Sequence, residues 1–485
     1  MATKKCRIVF VTPAYHCGVV EVAGSWPPLG MLYLAAQAER AGWDAEVYDV
    51  MTLRHDLKDI RTHFQSGNYD IVATTAITPT YQAARDLLAV AKEVNPSCTT
   101  LVGGVHPTFC FREIFDQDAD AIDYIIAGEG ELALYEFLKN FDVITRRHQT
   151  PGLIFSEEDD LSINIAKPFN EELDDLPVAW HLLDWSIYQY YSIPNSRLGA
   201  ISTSRGCNYA CTFCSQQKFW NKTWRGRQPE RVVSEITYLK HKYSINVFLF
   251  TDEYPTYDQA RWEKLLDLII EADLGIYILI ETRVEDIIRD EAFLTKYRKA
   301  GIVHVYVGAE ATDQATLEKL NKEITVSQSR RAIKLIADYR MISETSFVLG
   351  FPDETKESIE KTFEMAKEFD PDFAHFLAIT PWPYSDFYQE VKNSIEVHDY
   401  AQYNLIEPII KPDNMTLDQI DLAIVNCYRK FYMPKMLDFK KQKDPFIREY
   451  LLTATKLIMK SSFLIKKFAR LGINPVAMMN KILGR

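Results

Sequence analysis

Three cysteines stand close together in the middle of the chain: Cys207, Cys211 and Cys214. They follow an apolar run over residues 198–203 that predicts a strand, so they lie on the loop after it. A [4Fe–4S] cluster takes one sulfur ligand per iron, so three thiolates leave the fourth iron without a protein ligand. An open iron can bind a small molecule through that molecule's own donor atoms. The spacing therefore predicts a chemically active iron–sulfur site.

A zinc site or a set of buried, inert cysteines would also contain clustered thiols. Structural zinc takes four ligands, usually from two cysteine pairs. The nearest later histidine is His241, and Cys427 stands alone, so no second pair follows. Inert thiols are typical of apolar cores, whereas this loop opens with Arg205-Gly206 and has Phe213 before its last cysteine. These features favour the iron–sulfur site.

The composition excludes several classes of protein. The chain has 485 residues, of which 47% are hydrophobic and 25% charged, which is typical of a globular protein with a large core. Its net charge of −12 argues against a general nucleic-acid binder. The clustered cysteines, and a start without a hydrophobic signal region, predict a reducing, cytoplasmic location. No apolar run reaches about 18 residues, so we expect no membrane span.

Residues 1–145 alternate between strand and helix patterns, which predicts a doubly wound parallel sheet. Ligands of such sheets lie beyond the carboxyl ends of the strands, where the glycine-rich loops fall. Glycines there allow close approach of a ligand to the backbone, although ordinary turns also explain them. The predicted strands cover residues 6–12, 44–50, 70–75, 99–102 and 121–126, with helices over 29–41 and 80–94.

Residues 146–195 carry mixed charge and little periodicity, and we predict a connector between domains. Trp180, Trp185 and Tyr188–Tyr191 crowd its end and either pack an interface or line a pocket for a planar ligand. Strand–helix alternation resumes over 196–405. Chemistry in parallel barrels collects at the carboxyl ends of strands. The predicted strands here cover residues 200–203, 246–251, 277–281, 304–307, 346–349 and 376–379, with helices over 229–243 and 260–272.

The cysteine loop, with acids at the following strand ends, resembles the radical S-adenosylmethionine (SAM) superfamily. This resemblance implies a partial (β/α)6 barrel and a [4Fe–4S] cluster on Cys207, Cys211 and Cys214. In that superfamily the open iron chelates the amino and carboxylate groups of SAM. One electron from the cluster then cleaves SAM to a 5′-deoxyadenosyl radical.

The same resemblance assigns SAM contacts to residues at the strand ends. Glu253 keeps the acid of the superfamily's Gly-Gly-Glu without its glycines, and it either accepts from the SAM amino group or is a solvated acid. Arg283 either pairs with the SAM carboxylate or with Glu281. The remaining implied contacts are Phe213 beside adenine or the cluster, Glu310 at the ribose or methionyl group, and Gly350 in the adenine-packing turn.

Less generic stretches resemble one family, the anaerobic magnesium-protoporphyrin IX monomethyl ester oxidative cyclases. The likeness covers about residues 6–435. It implies closure of the isocyclic ring of bacteriochlorophyll without oxygen, giving divinyl protochlorophyllide with a ketone oxygen from water. The stretches are 13–18, 23–28, 75–79, 103–106, 214–220, 252–256, 380–386, 403–404 and 411–415.

The N-terminal domain resembles the cobalamin-binding domains that precede many radical SAM barrels. It lacks the DxHxxG signature, so cobalt has water or no lower ligand, or tight binding has been lost; His106 either faces the ring or is a loop histidine with its own partners. The resemblance implies Trp220 and Trp382 as walls for the porphyrin, although packing at the barrel rim also explains them. The implied cobalamin contacts are Thr12, Thr78, Gly103, Gly104, His106, Gly128, Glu129 and Gly130.

Residues 406–485 are expected to be helical, and their last part is basic and amphipathic. That face either rests peripherally on the anionic inner membrane surface or caps the barrel. The expected partners are the porphyrin and an electron donor such as ferredoxin or flavodoxin, without nucleic acid. The basic residues are Lys456, Lys460, Lys466, Lys467, Arg470, Lys481 and Arg485.

Two other functions remain open from the sequence. One is a cobalamin-dependent radical SAM C-methyltransferase or lipid-modifying enzyme, which would form S-adenosylhomocysteine beside 5′-deoxyadenosine. The other is a cobalamin or iron–sulfur sensor whose cluster binds no SAM. The ordered acids at the strand ends argue against the sensor.

Overall fold

The computed structural model describes residues 6–15, 23–157, 160–166, 169–470, 472 and 474. The chain forms two compact units. The first unit contains the described residues of 1–15, 28–184 and 399–401, and the second contains those of 16–27, 185–398 and 402–485.

Seven strands form the sheet of the first unit: β1 (Arg7–Val11), β2 (Asp44–Tyr48), β3 (Ile71–Thr75), β4 (Thr99–Gly103), β5 (Tyr124–Ile126), β6 (Leu153–Glu157) and β7 (Asp160–Ile163). Their order is β2-β1-β3-β4-β5-β6-β7, and β1 to β5 run parallel. Successive side chains of a strand point to opposite faces. Val9 and Val11 therefore pack into the core on one face, and Ile8 and Phe10 into the core on the other. Burial on both faces is the doubly wound arrangement that the alternation predicts.

The helices of this unit cover both faces of the sheet. The helix predicted over 29–41 ends at Arg40, and Gly42, two residues further on, has a φ of +94°. Asp56 caps another helix by accepting from the N–H groups of Lys58 and Asp59. The helices are α1 (Leu29–Arg40), α2 (Val50–Leu53), α3 (Leu57–Gly67), α4 (Tyr81–Val94), α5 (Val105–Asp118), α6 (Gly130–Lys139) and α7 (Ile144–Arg147), with 3-10 turns at Thr78–Thr80, Leu173–Asp175 and Trp180–Leu182.

The structure differs from the predicted connector at residues 146–195. Strands β6 and β7 form a hairpin there that extends the sheet antiparallel to β5. The hairpin was missed because β7 is half exposed, which gives it a weak apolar pattern.

Six parallel strands form the sheet of the second unit: β8 (Leu198–Ile201), β11 (Val247–Phe250), β12 (Tyr277–Thr282), β13 (Ile302–Glu310), β14 (Ile342–Leu349) and β15 (Phe373–Ala378). Their order is β15-β14-β13-β12-β11-β8. The predicted partial barrel is therefore confirmed. A separate antiparallel ribbon pairs β9 (Ser204–Gly206) with β10 (Trp224–Gly226).

The two helices predicted over 229–243 and 260–272 lie within one residue of those bounds. The helix that starts with Pro229 ends before Ser244, which adopts the left-handed conformation. The helices are α8 (Gln216–Phe219), α9 (Pro229–Tyr243), α10 (Gln259–Ala272), α11 (Val284–Arg289), α12 (Leu294–Lys299), α13 (Gln314–Lys319), α14 (Val326–Asp338), α15 (Lys356–Phe369) and α16 (Asp386–Val391), with 3-10 turns at Trp185–Ile187, Glu291–Phe293 and Lys392–Ser394.

Three further helices confirm the helical C-terminal region: α17 (Leu417–Lys441), α18 (Pro445–Met459) and α19 (Ser462–Arg470). Helix α18 packs on the inner face of the barrel sheet, where Phe446 stacks on Tyr277 with ring centres 5.1 Å apart. The basic face is less uniform than predicted, because Lys467 is buried and pairs with Asp421 and Glu407. Lys481, Arg485 and the side chain of Arg470 lie outside the described residues. Within the described parts of the chain, no helix is long and apolar enough to cross a membrane.

Candidate active site

The cysteine loop is held at its base by the ribbon of β9 and β10, which flank it in the chain. Gly206 ends β9 with a φ of +93°, and a Cβ on it would lie 2.2 Å from the carbonyl oxygen of Thr223. Only glycine fits this conformation and this close contact. The ribbon therefore brings both ends of the loop together and confines the three cysteines to one short segment.

The three thiols lie near one another, and two of them accept hydrogen bonds from the backbone. The N–H of Gln216 lies 3.4 Å from Sγ of Cys214, and the N–H of Tyr209 donates to Cys207. Burial raises the pKa of Cys207, and it raises the pKa of Cys214 to about 12. A metal must therefore displace protons when it binds these sulfurs.

The donor set suits an iron–sulfur cube better than a single metal ion. None of the described cysteines forms a disulfide. Among the described residues, no group of three or more His, Cys, Asp or Glu side chains is arranged to hold one ion. A cube instead takes one thiolate at each of several separate irons. Cys207, Cys211 and Cys214 fit that requirement and leave one iron for another ligand.

Glu253 follows β11 and is tied to the cysteine loop. Its carboxylate accepts from the indole N–H of Trp220 at 2.8 Å and from the N–H of Gly206 at 3.2 Å. Burial raises the pKa of Glu253, and these two donors oppose that shift. Trp220 is itself only 8% exposed. Its contact with a substrate stays a prediction, whereas its hydrogen bond to Glu253 is present in the structure.

Arg283 lies against the cysteine loop from the end of β12. Its guanidinium carbon is 3.3 Å from the ring centre of Tyr209, which stands between the first two cysteines. It forms an ion pair with Glu285, where the sequence offered Glu281 as one partner. Burial opposes its charge, but Glu285 keeps the pKa of Arg283 raised. A fixed cation thus stands beside the thiols.

Glu310 ends β13 and forms a buried ion pair with Lys322. Nζ of Lys322 lies 2.9 Å from Oε1 of Glu310 and 5.9 Å from the ring centre of Phe213. Burial alone would lower the pKa of Lys322, but Glu310 and the Cys211 thiol raise it. Ser346 donates to the other oxygen of Glu310 at 3.1 Å. Lys322 therefore lies at the centre of the predicted site. Around it are the cysteine loop with Phe213, Arg283 and Glu310.

Sequence reasoning missed Lys322. It lies in the loop between α13 and α14, away from any strand end, and nothing in its local pattern separates it from a surface lysine. Its backbone carbonyl also accepts from Arg283 at 2.9 Å. The contact set is formed only when the β13 end and this loop fold beside the cysteines.

Gly350 and Trp382 lie on the loops after β14 and β15. Gly350 has a φ of +89°, and its N–H donates to the Glu354 carboxylate at 2.8 Å. Glu354 therefore closes this turn. Trp382 is half-buried, and its carbonyl oxygen accepts from Ser385, which caps the next helix.

In the first unit, several predicted residues meet at the carboxyl edge of the sheet. Oγ1 of Thr78 lies 3.2 Å from Nδ1 of His106. Thr108 donates to the carbonyl of Gly104 at 2.7 Å and accepts from the N–H of Gly128 at 3.0 Å. Gly104 has a φ of +100°, and a Cβ on it would lie 2.6 Å from the Ala76 carbonyl oxygen. The loops after β3, β4 and β5 thus form one continuous edge.

The same edge leaves room for a ligand. Gly128 has a φ of +76°, and no atom lies within 4 Å of where its Cβ would stand. Nε2 of His106 is buried without a hydrogen-bond partner in the described structure, and burial lowers the pKa of His106 to about 4. The neutral imidazole of His106 and the open backbone at Gly128 lie on the same edge of the sheet. This arrangement fits a large, flat cofactor.

The other predicted contacts of this unit have structural partners. Thr12 donates to Asp49 at 2.8 Å, Glu129 accepts from the N–H of Asn170 at 3.0 Å, and Gly103 accepts from the N–H of Ala76 at 2.9 Å. Gly130 begins α6. Their contacts with cobalamin stay predictions.

Comparison with known proteins matches each unit to a known domain family. Residues 201–366 match the radical SAM superfamily, and residues 15–138 match the B12 binding domain. The residues at the two sites fit the corresponding cofactors, which are a [4Fe–4S] cluster with SAM and cobalamin. The structure of the radical SAM methyltransferase TsrM from Kitasatospora setae shares the fold, with a TM-score of 0.69 and 16% identity over 97% of this chain and 100% of that one.

Two curated relatives are similar over nearly the whole chain. An uncharacterized methyltransferase of Pyrococcus horikoshii is 30% identical over 90% of this chain and 94% of its own. The anaerobic magnesium-protoporphyrin IX monomethyl ester cyclase of Rubrivivax gelatinosus is 37% identical over 96% of this chain and 84% of its own. This similarity, over both the cobalamin-binding and the radical SAM units, shows that the chain belongs to the family of anaerobic magnesium-protoporphyrin IX monomethyl ester cyclases.

Proposed function

We propose that this protein is a radical SAM oxidative cyclase that closes the isocyclic ring of magnesium-protoporphyrin IX monomethyl ester. The observation that carries the proposal is the 37% identity to curated cyclases over nearly the whole chain. The three-cysteine loop beside Lys322, Arg283 and Glu253 supports the radical chemistry. When bound, the cluster and SAM supply a 5′-deoxyadenosyl radical, which removes a hydrogen atom from the ester-bearing side chain.

The residues around the cysteine loop orient SAM. Cys207, Cys211 and Cys214 hold the cluster. Glu253 is a buried acceptor for the SAM ammonium, because charge-assisted hydrogen bonds are strong in such surroundings. Arg283 and Lys322 are fixed cations for the SAM carboxylate.

The remaining contacts hold the nucleoside part of SAM. Glu310 accepts from the ribose hydroxyls, and Phe213 packs on the adenine or the cluster. Gly350, which has a φ of +89° and no side chain, is the proposed position where the backbone approaches the adenine ring.

We infer that cobalamin lies on the carboxyl edge of the first unit. Its contacts would be Thr12, Thr78, Gly103, Gly104, His106, Gly128, Glu129 and Gly130. The open space over Gly128 and the neutral His106 support this assignment. Trp382 is the proposed wall for the flat porphyrin, with Trp220 beside it.

The tail and the electron donor are further parts of this proposal. Lys460 and Lys466 are exposed near the end of the described chain, so we propose that they contact anionic lipid. A K460E/K466E variant should lose sedimentation with phosphatidylglycerol vesicles, whereas the surface variant K361E should not.

A ferredoxin or flavodoxin is the proposed electron donor, because SAM cleavage needs one electron at a time. Reduction of the cluster by each protein tests this choice.

The experiment for the main proposal is an anaerobic assay of the reconstituted protein with SAM, cobalamin, a reductant and magnesium-protoporphyrin IX monomethyl ester. We expect 5′-deoxyadenosine together with a protochlorophyllide spectrum. Cys211→Ala should abolish both products, and the matched control Cys98→Ala, a buried cysteine of the first unit, should retain them. If 5′-deoxyadenosine forms while the porphyrin stays unchanged, the substrate assignment is wrong.

A second candidate is a cobalamin-dependent radical SAM C-methyltransferase. It is favoured by the 30% identity to the Pyrococcus horikoshii methyltransferase over 94% of that protein. A methyltransferase forms S-adenosylhomocysteine as well as 5′-deoxyadenosine. Detection of S-adenosylhomocysteine and 5′-deoxyadenosine in the same assay, together with a methylated porphyrin, would support the methyltransferase function.

A further inference from the structure

Three side chains form a row across the middle of the barrel sheet. Glu281 of β12 is the register partner of Tyr306 of β13, and Tyr306 is the register partner of Glu344 of β14. Partners in adjacent parallel strands present their side chains to the same face of the sheet. The row therefore consists of a carboxyl, a phenol and a carboxyl on three neighbouring strands.

This row faces the inside of the barrel. Residues two apart share a face, and Tyr277, four residues before Glu281, stacks on Phe446 of α18 inside the barrel. His304, two residues before Tyr306, bonds Tyr450 of the same helix. Helix α18 thus covers the inner face below the row. Above the row, towards the carboxyl ends of the strands, Ser346 follows Glu344 by two residues and Glu310 follows Tyr306 by four. Ser346 donates to Glu310, whose partner Lys322 lies beside Phe213 of the cysteine loop.

Glu281 is the accessible member of the row. Glu281 is accessible from the barrel interior, but the surrounding protein encloses it and desolvates its carboxylate, whereas Ile280 beside it is buried. No described cation forms an ion pair with it. Its charged surroundings are the acids Glu253, Asp252 and Glu344 and the more distant Lys322. Desolvation, followed by repulsion from these acids, raises the pKa of Glu281 to about 8.

Glu344 at the other end of the row lies between two imidazoles. Nε2 of His375 donates to one of its oxygens, and Nε2 of His304 lies 2.5 Å from the other. Burial opposes the charge of Glu344, but the two histidines hold its pKa well below the usual range. Nδ1 of His304 lies 2.6 Å from the hydroxyl of Tyr450, which lies 2.6 Å from that of Tyr190. The row therefore continues into a buried network of imidazole and phenol groups within hydrogen-bond distance of one another.

We propose that Glu281 is the residue that accepts the proton released when water adds to the substrate. The proposal rests on the cyclase function proposed above. That reaction requires one-electron oxidation of a substrate radical to a carbocation, and a bound iron–sulfur or cobalt centre would supply the electron acceptor. Water then forms the new C–O bond, one of its O–H bonds breaks, and the proton passes to the Glu281 carboxylate. Substrate and water lose no electrons in this step.

The position of Glu281 suits that role in two respects. It lies on the strand end between the acids near the cysteine loop and the histidine network. A cation bound at Glu253 would also remove part of the repulsion that keeps Glu281 protonated, which would free its carboxylate. A proton acceptor works best when its pKa lies near the working pH.

The test compares Glu281→Gln with Glu271→Gln, the same change on the exposed outer side of α10. Both variants should retain cluster absorbance and SAM binding. In single-turnover reactions E281Q should still form 5′-deoxyadenosine. The amount of protochlorophyllide formed per 5′-deoxyadenosine should fall by roughly 100-fold or more, because general-base catalysis contributes factors of that order. E271Q should match the wild type.

Two further readouts separate proton transfer from a structural role. E281D should restore part of the product ratio, and the wild-type dependence of that ratio on pH should be absent in E281Q. Infrared spectra of the protein without substrate should show a protonated carboxyl band that disappears as pH passes about 8 and is missing in E281Q. A band that does not titrate would overturn the assignment of Glu281.

The outcomes distinguish this inference from the proposed function. If the wild type forms 5′-deoxyadenosine without converting the porphyrin, the cyclase function fails and the proton transfer to this substrate fails with it. If the wild type converts the porphyrin and E281Q converts it with an unchanged ratio, only the inference is overturned.

Discussion

Nζ of Lys322 lies 2.9 Å from Oε1 of Glu310, and both side chains are almost fully buried beside the cysteine loop. Removal of one partner from such a pair leaves an uncompensated buried charge. Lys322→Met should therefore lower the free energy of unfolding by about 3–5 kcal/mol. It should also weaken SAM binding, because a fixed cation near the open iron is lost. Chemical denaturation and equilibrium dialysis with SAM measure the two effects.

The control for this prediction is the double variant K322M/E310Q, in which the charge of Glu310 is also removed. Most of the stability should return, because no charge remains unpaired, whereas SAM affinity should stay low. If SAM affinity returned with the stability, Lys322 would be a structural residue only.

The bond from Trp220 to Glu253 yields a second prediction. Trp220→Phe keeps the aromatic packing but removes the 2.8 Å hydrogen bond from the indole N–H. Loss of a donor to a buried charged group costs about 1–3 kcal/mol. The carboxylate should become harder to ionise, and SAM affinity should fall. The matched control is Trp224→Phe, whose indole donates to the carbonyl of Tyr254 at 2.8 Å, so an equal loss of SAM affinity in both variants would contradict the prediction.

The positions of the strands along the chain and the cysteine loop could be predicted from the sequence because both depend on local patterns. Apolar runs placed all five parallel strands of the first unit and all six of the barrel within a few residues. The hairpin of β6 and β7 escaped because an exposed edge strand has little apolar pattern.

The contacts that complete the site depend on folding. Lys322 reaches Glu310 from a loop that has no marking pattern of its own. The bond between His304 and Tyr450 joins residues 146 positions apart in the chain. Sequence periodicity gives the face of each strand but not its register with the next strand. The row from Glu281 to Glu344 was therefore not visible until the strands were paired.

Gly206 should be essential for assembly of the cluster. A methyl group there would lie 2.2 Å from the carbonyl oxygen of Thr223 and would also strain a φ of +93°. Gly206→Ala should therefore separate the ribbon at the base of the loop and lower the iron and sulfide content after reconstitution. Gly275→Ala is the matched control, because Gly275 also has a positive φ, of +58°, but has open space around its Cβ position. Equal cluster content in both variants would contradict the prediction.

The protonation of Glu281 should appear in the stability of the protein as well as in its chemistry. Its pKa is raised from 4.5 to about 8 in the folded state, so the folded protein binds a proton that the unfolded chain has already lost. Its contribution to the free energy of unfolding is therefore fully present below pH 4.5 and decreases as pH rises to about 8. Glutamine at this position does not titrate, so E281Q should lack this part of the decrease.

The measurement is urea denaturation of the wild type and E281Q across this pH range. The stability of E281Q relative to the wild type should rise between pH 4.5 and about 8 and stay constant above it. Titrating groups that do not interact with Glu281 act equally in both proteins and cancel in the difference. E271Q, on the exposed side of α10, is measured alongside as the surface control. A difference that stays constant with pH would mean that Glu281 is already ionised in the folded protein, and proton uptake near neutral pH would then need another residue.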